Sequence, residues 1–518
     1  MPLSPAAERE SAVARVVGAP AARLVVALLA LTVLTRLPSF ARTPWNPDEG
    51  YLATQARQLA DGGVLYDTVV DRKPPFVPLL YRGAFALFGD DSLWPVRLAA
   101  IAAVVVGAAL AASLAGRRWG ERAAWTAGIC YVFLTVGLKP EDTQAATFEV
   151  FMLPWTVAAM WYADRGRWLG AGLSVAGAVL SKQTGGAVLL PVLFLLWQAR
   201  AGWAAWIRTT AGAALPVVSA ALAFDPGRFL YWIATGSGSY LSADGAGFKP
   251  LLRALAGTGL LTLAALPLVA ALIHAARSRN AARSRTTARS RNATRSAVQR
   301  APLDGTGDLW LWLAASLGAA MVGFQFFGHY FLQMVPPLAL LGTVALHELT
   351  ARAATMALAA TAFLACGFIG WGFTDSRAEV DHARRLADTV RSYTDRKDRV
   401  LLWGMHPEGY WLAKRSPASR YLTAGFLTNF SGGRGEARVG ERYAMDGAWP
   451  HFERELRRRP PELIVDDSRG KRYGVQQIPT LRRHLARHYE KVATIDGSSF
   501  YLRNRPEIRS SRASGAPH

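Results

Sequence analysis

A few scattered side chains carry the chemistry that this chain offers. Trp45 to Pro75 reads WNPDEGYLATQARQLADGGVLYDTVVDRKPP, with the acidic pair Asp48-Glu49 near its start and the basic exit Arg72-Lys73-Pro74-Pro75 at its end. Glu149 is the single acid between Ala145 and Trp161, Lys182 stands in the turn LSKQTG, and His329 stands in GHYFLQMVPP. A carboxylate can take the proton of an attacking hydroxyl, and a cation can neutralise charge gathering on a departing phosphate. Such residue types suit group transfer from a phosphorylated donor. Tyr51 and Gln55, just after the acidic pair, and Tyr330, beside His329, complete the candidate set.

Each candidate has a plainer explanation. Asn46-Pro47-Asp48-Glu49 is a helix start: Asn46 caps, Pro47 suits the first helical position, and Glu49 closes a capping box. Acids in a first helical turn also favour the helix dipole. Lysine usage tilts the balance toward chemistry. The basic residues are almost wholly arginine, with lysine only at positions 73, 139, 182, 249, 397, 414, 471 and 491. Lys73, Lys139, Lys182 and Lys249 all fall near ends of apolar segments, where a compact ammonium can meet a phosphate or simply snorkel.

The apolar residues are pooled in long runs such as Leu93 to Ala115 and Leu251 to Ala276. Such runs exceed the roughly 18 residues that span a bilayer, so a polytopic membrane protein is expected. About eleven spans are predicted: 21–37, 93–115, 123–138, 146–163, 168–181, 184–198, 207–224, 251–276, 308–327, 330–349 and 353–373. Phe76 to Phe88, interrupted by Pro78 and Arg82, reads as an interfacial helix. With residues 1–20 as a cytoplasmic tail, the basic connections at Arg117-Arg118, Arg165-Arg167, Arg200-Arg208 and 277–300 all fall inside, as the positive-inside rule requires. The opening loop, 38–92, then faces outward, together with Leu138 to Ala145, Ser181-Lys182-Gln183, Asp225 to Pro250 and Gly328-His329-Tyr330.

The Arg/Ser/Thr/Asn-rich segment 277–300 reads as a disordered cytoplasmic linker. From Thr374 the composition turns to mixed charge. Strands are predicted at Arg399–Trp403, Glu462–Asp466 and Ser499–Leu502, and an amphipathic helix at Thr480–Tyr489. An odd span number puts this small α/β domain, 374–503, outside, followed by a disordered tail, 504–518. The fold class is therefore mostly α and polytopic, with a small extracytoplasmic α/β domain. The net charge of +22 follows from arginines in short loops and does not call for nucleic acid. Cys130 and Cys366 lie in apolar runs and supply neither a disulfide framework nor a zinc ligand set.

An acidic pair after the first span, a Lys-Pro-Pro exit, an acid opening a later span in TFEVFMLPW, a Ser-Lys turn in LSKQTG and an HYFLQMVPP turn occur here in order over residues 20–350. In this the chain resembles the GT-C membrane glycosyltransferases that use polyprenyl-phosphate sugars, the group of the protein O-mannosyltransferases and the aminoarabinose transferases of lipid A. The resemblance implies Asp48 as the acid engaging the acceptor hydroxyl, with Glu49 and Glu149 as further acids of the catalytic set. It implies Lys73, Lys182 and Arg72 as partners of the donor phosphate, with His329 nearby. The implied partners are a polyprenyl-phosphate-linked sugar, an acceptor of unspecified class and the bilayer of a bacterial plasma membrane. Arg72 stands where the aminoarabinose transferases carry a glutamate that helps bind a divalent metal, so no metal requirement carries over. A transporter or lipid flippase is the rival from another class. It would line a path with ionisable groups deep in the bundle and often show internal repeats; here the ionisable groups gather at one face.

Overall fold

The computed structural model describes residues 19–42, 44–236, 248–289, 305–430 and 438–504. The predicted tails, apart from a few residues, and segment 290–300 of the basic linker lie outside them. The membrane part contains α1 (Ala19–Thr35), α2 (Pro47–Ala60), α3 (Phe76–Phe88), α4 (Trp94–Trp119), α5 (Glu121–Leu134), α6 (Phe148–Asp164), α7 (Trp168–Ser181), α8 (Leu189–Gln198) and α9 (Trp203–Ala223). It continues with α10 (Pro226–Ile233), α11 (Lys249–Ala264), α12 (Leu266–Arg289), α13 (Gly307–Met321), α14 (Val335–His347) and α15 (Ala351–Thr374).

Among the described residues five helical stretches are long and apolar enough to cross a membrane unaided: Ala21–Ala41, Trp94–Trp119, Trp203–Ala223, Gly328–His347 and Ala351–Tyr393. The chain is a multi-pass membrane protein. The expectation of eleven spans includes shorter apolar helices, such as α5, α6, α7 and α13, that fall below that length. The single span expected at 251–276 is instead two helices, α11 and α12, meeting at a 77° bend. Pro267 follows the break directly, where its missing N–H and ring prevent a continuous ladder. Helix α12 also runs on through Arg289, into the basic segment expected to be disordered.

Two ends can be told apart. Helix α4 has 26 residues, about 39 Å at the α-helical rise, with Arg97 near its start and Arg117-Arg118 at its finish. At the finish, Arg118 bonds Asp164 and Asp308, both at 2.8 Å, and Arg117 meets Asp164 at 3.1 Å. Arg279 and Glu348 pair at 2.6 Å. The candidate site residues gather at the other end.

There Asn46 caps α2 as its sequence predicts, its side-chain oxygen accepting from the Glu49 N–H at 3.1 Å. The Glu49 side chain reaches back past the cap to the Trp45 N–H at 2.8 Å. It is wholly buried. One oxygen also accepts from Arg97 Nη2 at 2.9 Å, while the other accepts from Arg97 Nε at 3.2 Å and from the Ala146 N–H at 2.9 Å. Arg97 in turn donates to the Ser39 and Arg42 carbonyls. One ion pair thus joins the start of α2 to α4, to the segment that follows α1 and to the lead-in of α6.

The C-terminal part is a doubly wound sheet of order β2-β1-β3-β5-β4. Strands β1 (Arg399–Trp403), β2 (Ser416–Pro417) and β3 (Leu463–Asp466) are parallel; β5 (Ser498–Arg503) runs antiparallel to both β3 and β4 (Tyr489–Ile495). Helices α16 (Ala378–Tyr393) and α17 (Glu408–Ala413) cover one face, and α18 (Ala448–Arg458) and α19 (Pro479–His488) the other. Tyr489, expected to close the helix, opens β4. The β4–β5 hairpin turns through Asp496-Gly497, both at positive φ, a turn whose twist matches the flanking strands.

This domain docks on the opening loop. Thr54 donates to the Pro407 carbonyl at 3.0 Å, Trp411 Nε1 to the Asp90 carbonyl at 2.8 Å, and Lys414 pairs with Asp91. Gly50 lies flush against Glu408, whose Cβ a side chain at position 50 would strike. Leu59, Leu65, Tyr66, Val69 and Val70 share one apolar core with Trp403, Phe426 and Phe452.

Glu49→Gln removes the charge that the buried Arg97 requires. A loss of about 3–5 kcal/mol, typical of breaking a buried pair, is expected as a lowered thermal midpoint in detergent, and an unchanged midpoint would show that the pair is not structural.

Candidate active site

Four separate segments converge beside the start of α2. The turn Gly328–Met334 before α14 brings His329, whose Nδ1–H and backbone N–H both meet Asp142 Oδ1 at 2.9 Å. Only a glycine at 328 leaves room for that carboxylate. With Nδ1 so engaged, His329 Nε2 faces Asp48 Oδ2 at 3.9 Å and Glu149 Oε1 at 3.8 Å. Phe327 stacks flat on the imidazole, with centroids 5.6 Å apart.

Glu149 opens α6 and is wholly buried; Lys182, just after α7, is nearly so, and the two form a direct ion pair. The Lys182 ammonium also lies 3.9 Å from the Tyr330 ring centroid, a cation–π contact. Glu149 Oε2 is buried without a hydrogen-bond partner. Asp48 differs from these neighbours: its side chain keeps 37 % exposure against 0 % for Glu149 and 4 % for Lys182. It is the carboxylate that a solvent-borne ligand can reach.

The basic exit lies nearby. The Lys73 ammonium is 5.4 Å from the Phe148 ring, next to Glu149. Its carbonyl accepts from the Tyr66 hydroxyl at 2.9 Å. Arg72 instead turns to the C-terminal domain, its guanidinium 4.8 Å from the Phe426 ring, while its carbonyl accepts from Gln183 at 2.6 Å. Tyr51 donates to the Val70 carbonyl at 2.7 Å, bracing α2 against the exit loop. Gln55 is fully buried on α2 with neither amide atom hydrogen-bonded. Glu49, a candidate acid, has both oxygens committed to Arg97 and backbone N–H groups, which is a positioning arrangement.

Three residues enter that the motifs do not reveal. Arg97 holds Glu49, Asp142 holds His329, and Asp71 sits buried beside the exit. Burial pushes the Asp71 carboxyl up to about 7; Lys73 opposes the rise and Asp48 adds to it. An acid next to the Arg72-Lys73 exit was a visible signal for Asp71. For Arg97 and Asp142 the signal is contact across the fold, which spacing does not carry. Among the described residues no group of three or more His, Cys, Asp and Glu is arranged to hold a metal ion.

Comparisons place this geometry among known proteins. The family described as dolichyl-phosphate-mannose-protein mannosyltransferase matches residues 72–226, a stretch containing Lys73, Asp142, Glu149 and Lys182. No curated protein sequence matches the chain. Among solved structures, ArnT from Cupriavidus metallidurans bound to undecaprenyl phosphate superposes with a TM-score of 0.58 at 16% identity, covering 93% of this chain and 98% of that one. The same protein in the apo state gives 0.55 at 17% identity, covering 92% and 97%. The oligosaccharyltransferase of Archaeoglobus fulgidus, in complex with Zn and sulfate, gives 0.52 at 15% identity, covering 85% and 67%. The fold is that of the GT-C membrane glycosyltransferases, as the motif order implies.

Because the Asp71 carboxyl titrates higher folded than unfolded, folding favours its neutral form. Its contribution is intact below about pH 4, where the unfolded carboxyl is also protonated, and is lost as pH rises toward about 7. Asp71→Asn should therefore flatten the decline in thermal midpoint over that window; an identical pH profile in both proteins would refute the assignment.

Proposed function

We propose that the protein is an integral-membrane glycosyltransferase that moves a sugar from a polyprenyl-phosphate donor to an acceptor hydroxyl at the outer membrane face. The observation that carries this is the meeting of exposed Asp48 with His329, Glu149 and Lys182 at one end of the bundle, with Lys73 on the loop alongside. A lipid-anchored donor can present its sugar-phosphate only near an interface, and this end is where the candidate acids, lysines and histidine collect. The opposite end carries the Arg117-Arg118 cluster, which the positive-inside rule assigns to the cytoplasm. The C-terminal domain, docked on the opening loop, then lies extracytoplasmically.

In the transfer step the acceptor oxygen attacks the anomeric carbon. Its proton passes to Asp48 as the bond from carbon to phosphate oxygen breaks, and the electron pair leaves on the polyprenyl phosphate. Lys73 stabilises that charge. Lys182, already neutralised by Glu149, serves the phosphate through this pair, with its ammonium shared between two anions. His329, oriented by Asp142, links Asp48 to the buried pair. Glu49 acts on the reaction by fixing α2, and Arg72 by tying the exit loop to Phe426. Single displacement inverts the anomeric centre.

A flippase would need ionisable groups along a transbilayer path, whereas Glu149, Lys182 and His329 stop at one end. Asp48→Ala should lower transfer by about 10²–10⁴-fold, and Lys73→Ala by about 10²–10³-fold, with membrane accumulation unchanged. The assay incubates membranes with a panel of polyprenyl-phosphate sugars and follows product mass; full transfer by both variants would remove the site assignment. Product stereochemistry decides the displacement: retention of the donor's anomeric configuration would exclude a single step.

A further inference from the structure

The C-terminal sheet has its own crevice. From β1 the chain moves through α17 to β2 on one side, then crosses through α18 to β3 on the other. The carboxyl ends of β1 and β3 are therefore a topological switch point, where diverging loops leave the opening in which doubly wound sheets bind ligands. Here the loops are Gly404-Met405-His406-Pro407 and Asp467-Ser468-Arg469-Gly470.

Polar groups fill this opening, and two of them lack partners. Asp467 accepts from Ser498 Oγ at 2.6 Å, meets His382 Nε2 at 2.8 Å and lies 3.7 Å from Arg469 Nε. Arg469 also pairs with Glu379 at 3.0 Å. His406 Nδ1 bonds one oxygen of Glu408 at 3.0 Å, while the other oxygen, Oε2, is buried with no hydrogen-bond partner. The Tyr473 hydroxyl, on a residue with 0 % exposure, is likewise unpartnered. It lies within electrostatic reach of Asp467 and Arg469, and its ring packs on Phe430 with centroids 4.4 Å apart. Buried polar groups are normally satisfied, so an orphan acceptor and an orphan hydroxyl at one strand-end opening point to a hydrogen-bonding ligand.

The charge balance narrows its class. Carboxylates at 379, 408, 466, 467 and 496 outnumber the arginines at 385 and 469, which disfavours phosphate. Those arginines and the histidines already pair with several of the carboxylates, which removes much of the pull on a cation. A neutral polyhydroxylated ring fits: its hydroxyls donate to Glu408, accept from or donate to Tyr473, and its apolar face suits an aromatic neighbour.

We propose that the crevice at the carboxyl ends of β1 and β3 binds neutral carbohydrate through Glu408 and Tyr473. On the transferase reading above, on which this role rests, it is a subsite for a glycan acceptor. Its position supports that role. Glu408 sits directly against Gly50, on the helix whose first turn carries Asp48, so the crevice is carried on the same element as the candidate base.

The full-length protein in detergent is tested by saturation-transfer NMR with maltose, mannobiose, glucosamine and mannose 6-phosphate. The neutral disaccharides should give the strongest transfer, and Glu408→Gln and Tyr473→Phe should each weaken binding on the order of tenfold, the loss of one buried hydrogen bond. Tyr473→Phe keeps the ring against Phe430, and its thermal midpoint verifies the fold. Absence of transfer to either neutral sugar, preference for the amino or phosphorylated sugar, or wild-type affinity in both variants would overturn the proposal. Polyprenyl phosphate binding, followed by tryptophan fluorescence, separates the two sites: disaccharide binding without it supports the crevice and counts against the lipid-linked donor.

Discussion

A guanidinium and a carboxylate buried together near one end of the helical bundle fix where everything else can sit. Arg97 and Glu49 are both removed from water, and neither charge is tolerable there alone. Their remaining hydrogen-bonding capacity goes to backbone: Trp45 and Ala146 donate to Glu49, while Ser39 and Arg42 accept from Arg97. Because those backbone groups belong to the segments that lead into α2 and α6 and out of the first span, the pair sets the angle at which α2 leaves the bundle. Asp48 is the residue before Glu49, so its direction is set with it.

The same economy of charge runs through the site. Glu149 and Lys182 neutralise each other in the interior, and Asp142 holds one nitrogen of His329. Asp48 is left as the exposed acid of the group. This division separates groups that organise the site from one that can meet a substrate. It also explains why the many surface arginines contribute little to it: a planar guanidinium seeks bidentate or stacked partners, as Arg72 finds on Phe426 and Arg165 on Trp161.

The C-terminal domain belongs to this arrangement through surface rather than sequence continuity. Its core merges with that of the opening loop, and the absence of a side chain at Gly50 lets the Pro407-Glu408 turn approach α2 at backbone distance. A switch-point crevice is thereby brought beside the helix that carries Asp48. Two regions with different chemistry, one beside a cationic loop and one lined by carboxylates and a tyrosine, are thereby attached to one helix.

Local physics was legible without coordinates. Caps and a proline at the first helical position define Pro47–Ala60, hydropathy separates the apolar segments from the mixed-charge C-terminal part, and short continuous apolar runs mark β1 and β3. The Asp496-Gly497 pair is a hairpin signal too, yet the strand before it, Tyr489–Ile495, is absent from the sequence reading, which gives its first residue to a helix. The motif order also led to the GT-C fold. What the chain alone did not decide was which acids are spent on structure. Glu49 and Asp48 are adjacent and chemically alike, and only the packing of Arg97 against one of them makes it a bolt and leaves the other open. Spacing presents Lys182 as a lone cation, whereas the fold sets Glu149 against it, and Asp142 carries no motif at all. Sequence determines which charges exist and on which elements they ride; the fold decides which of them are desolvated together, because pairing depends on distances between segments far apart in the chain.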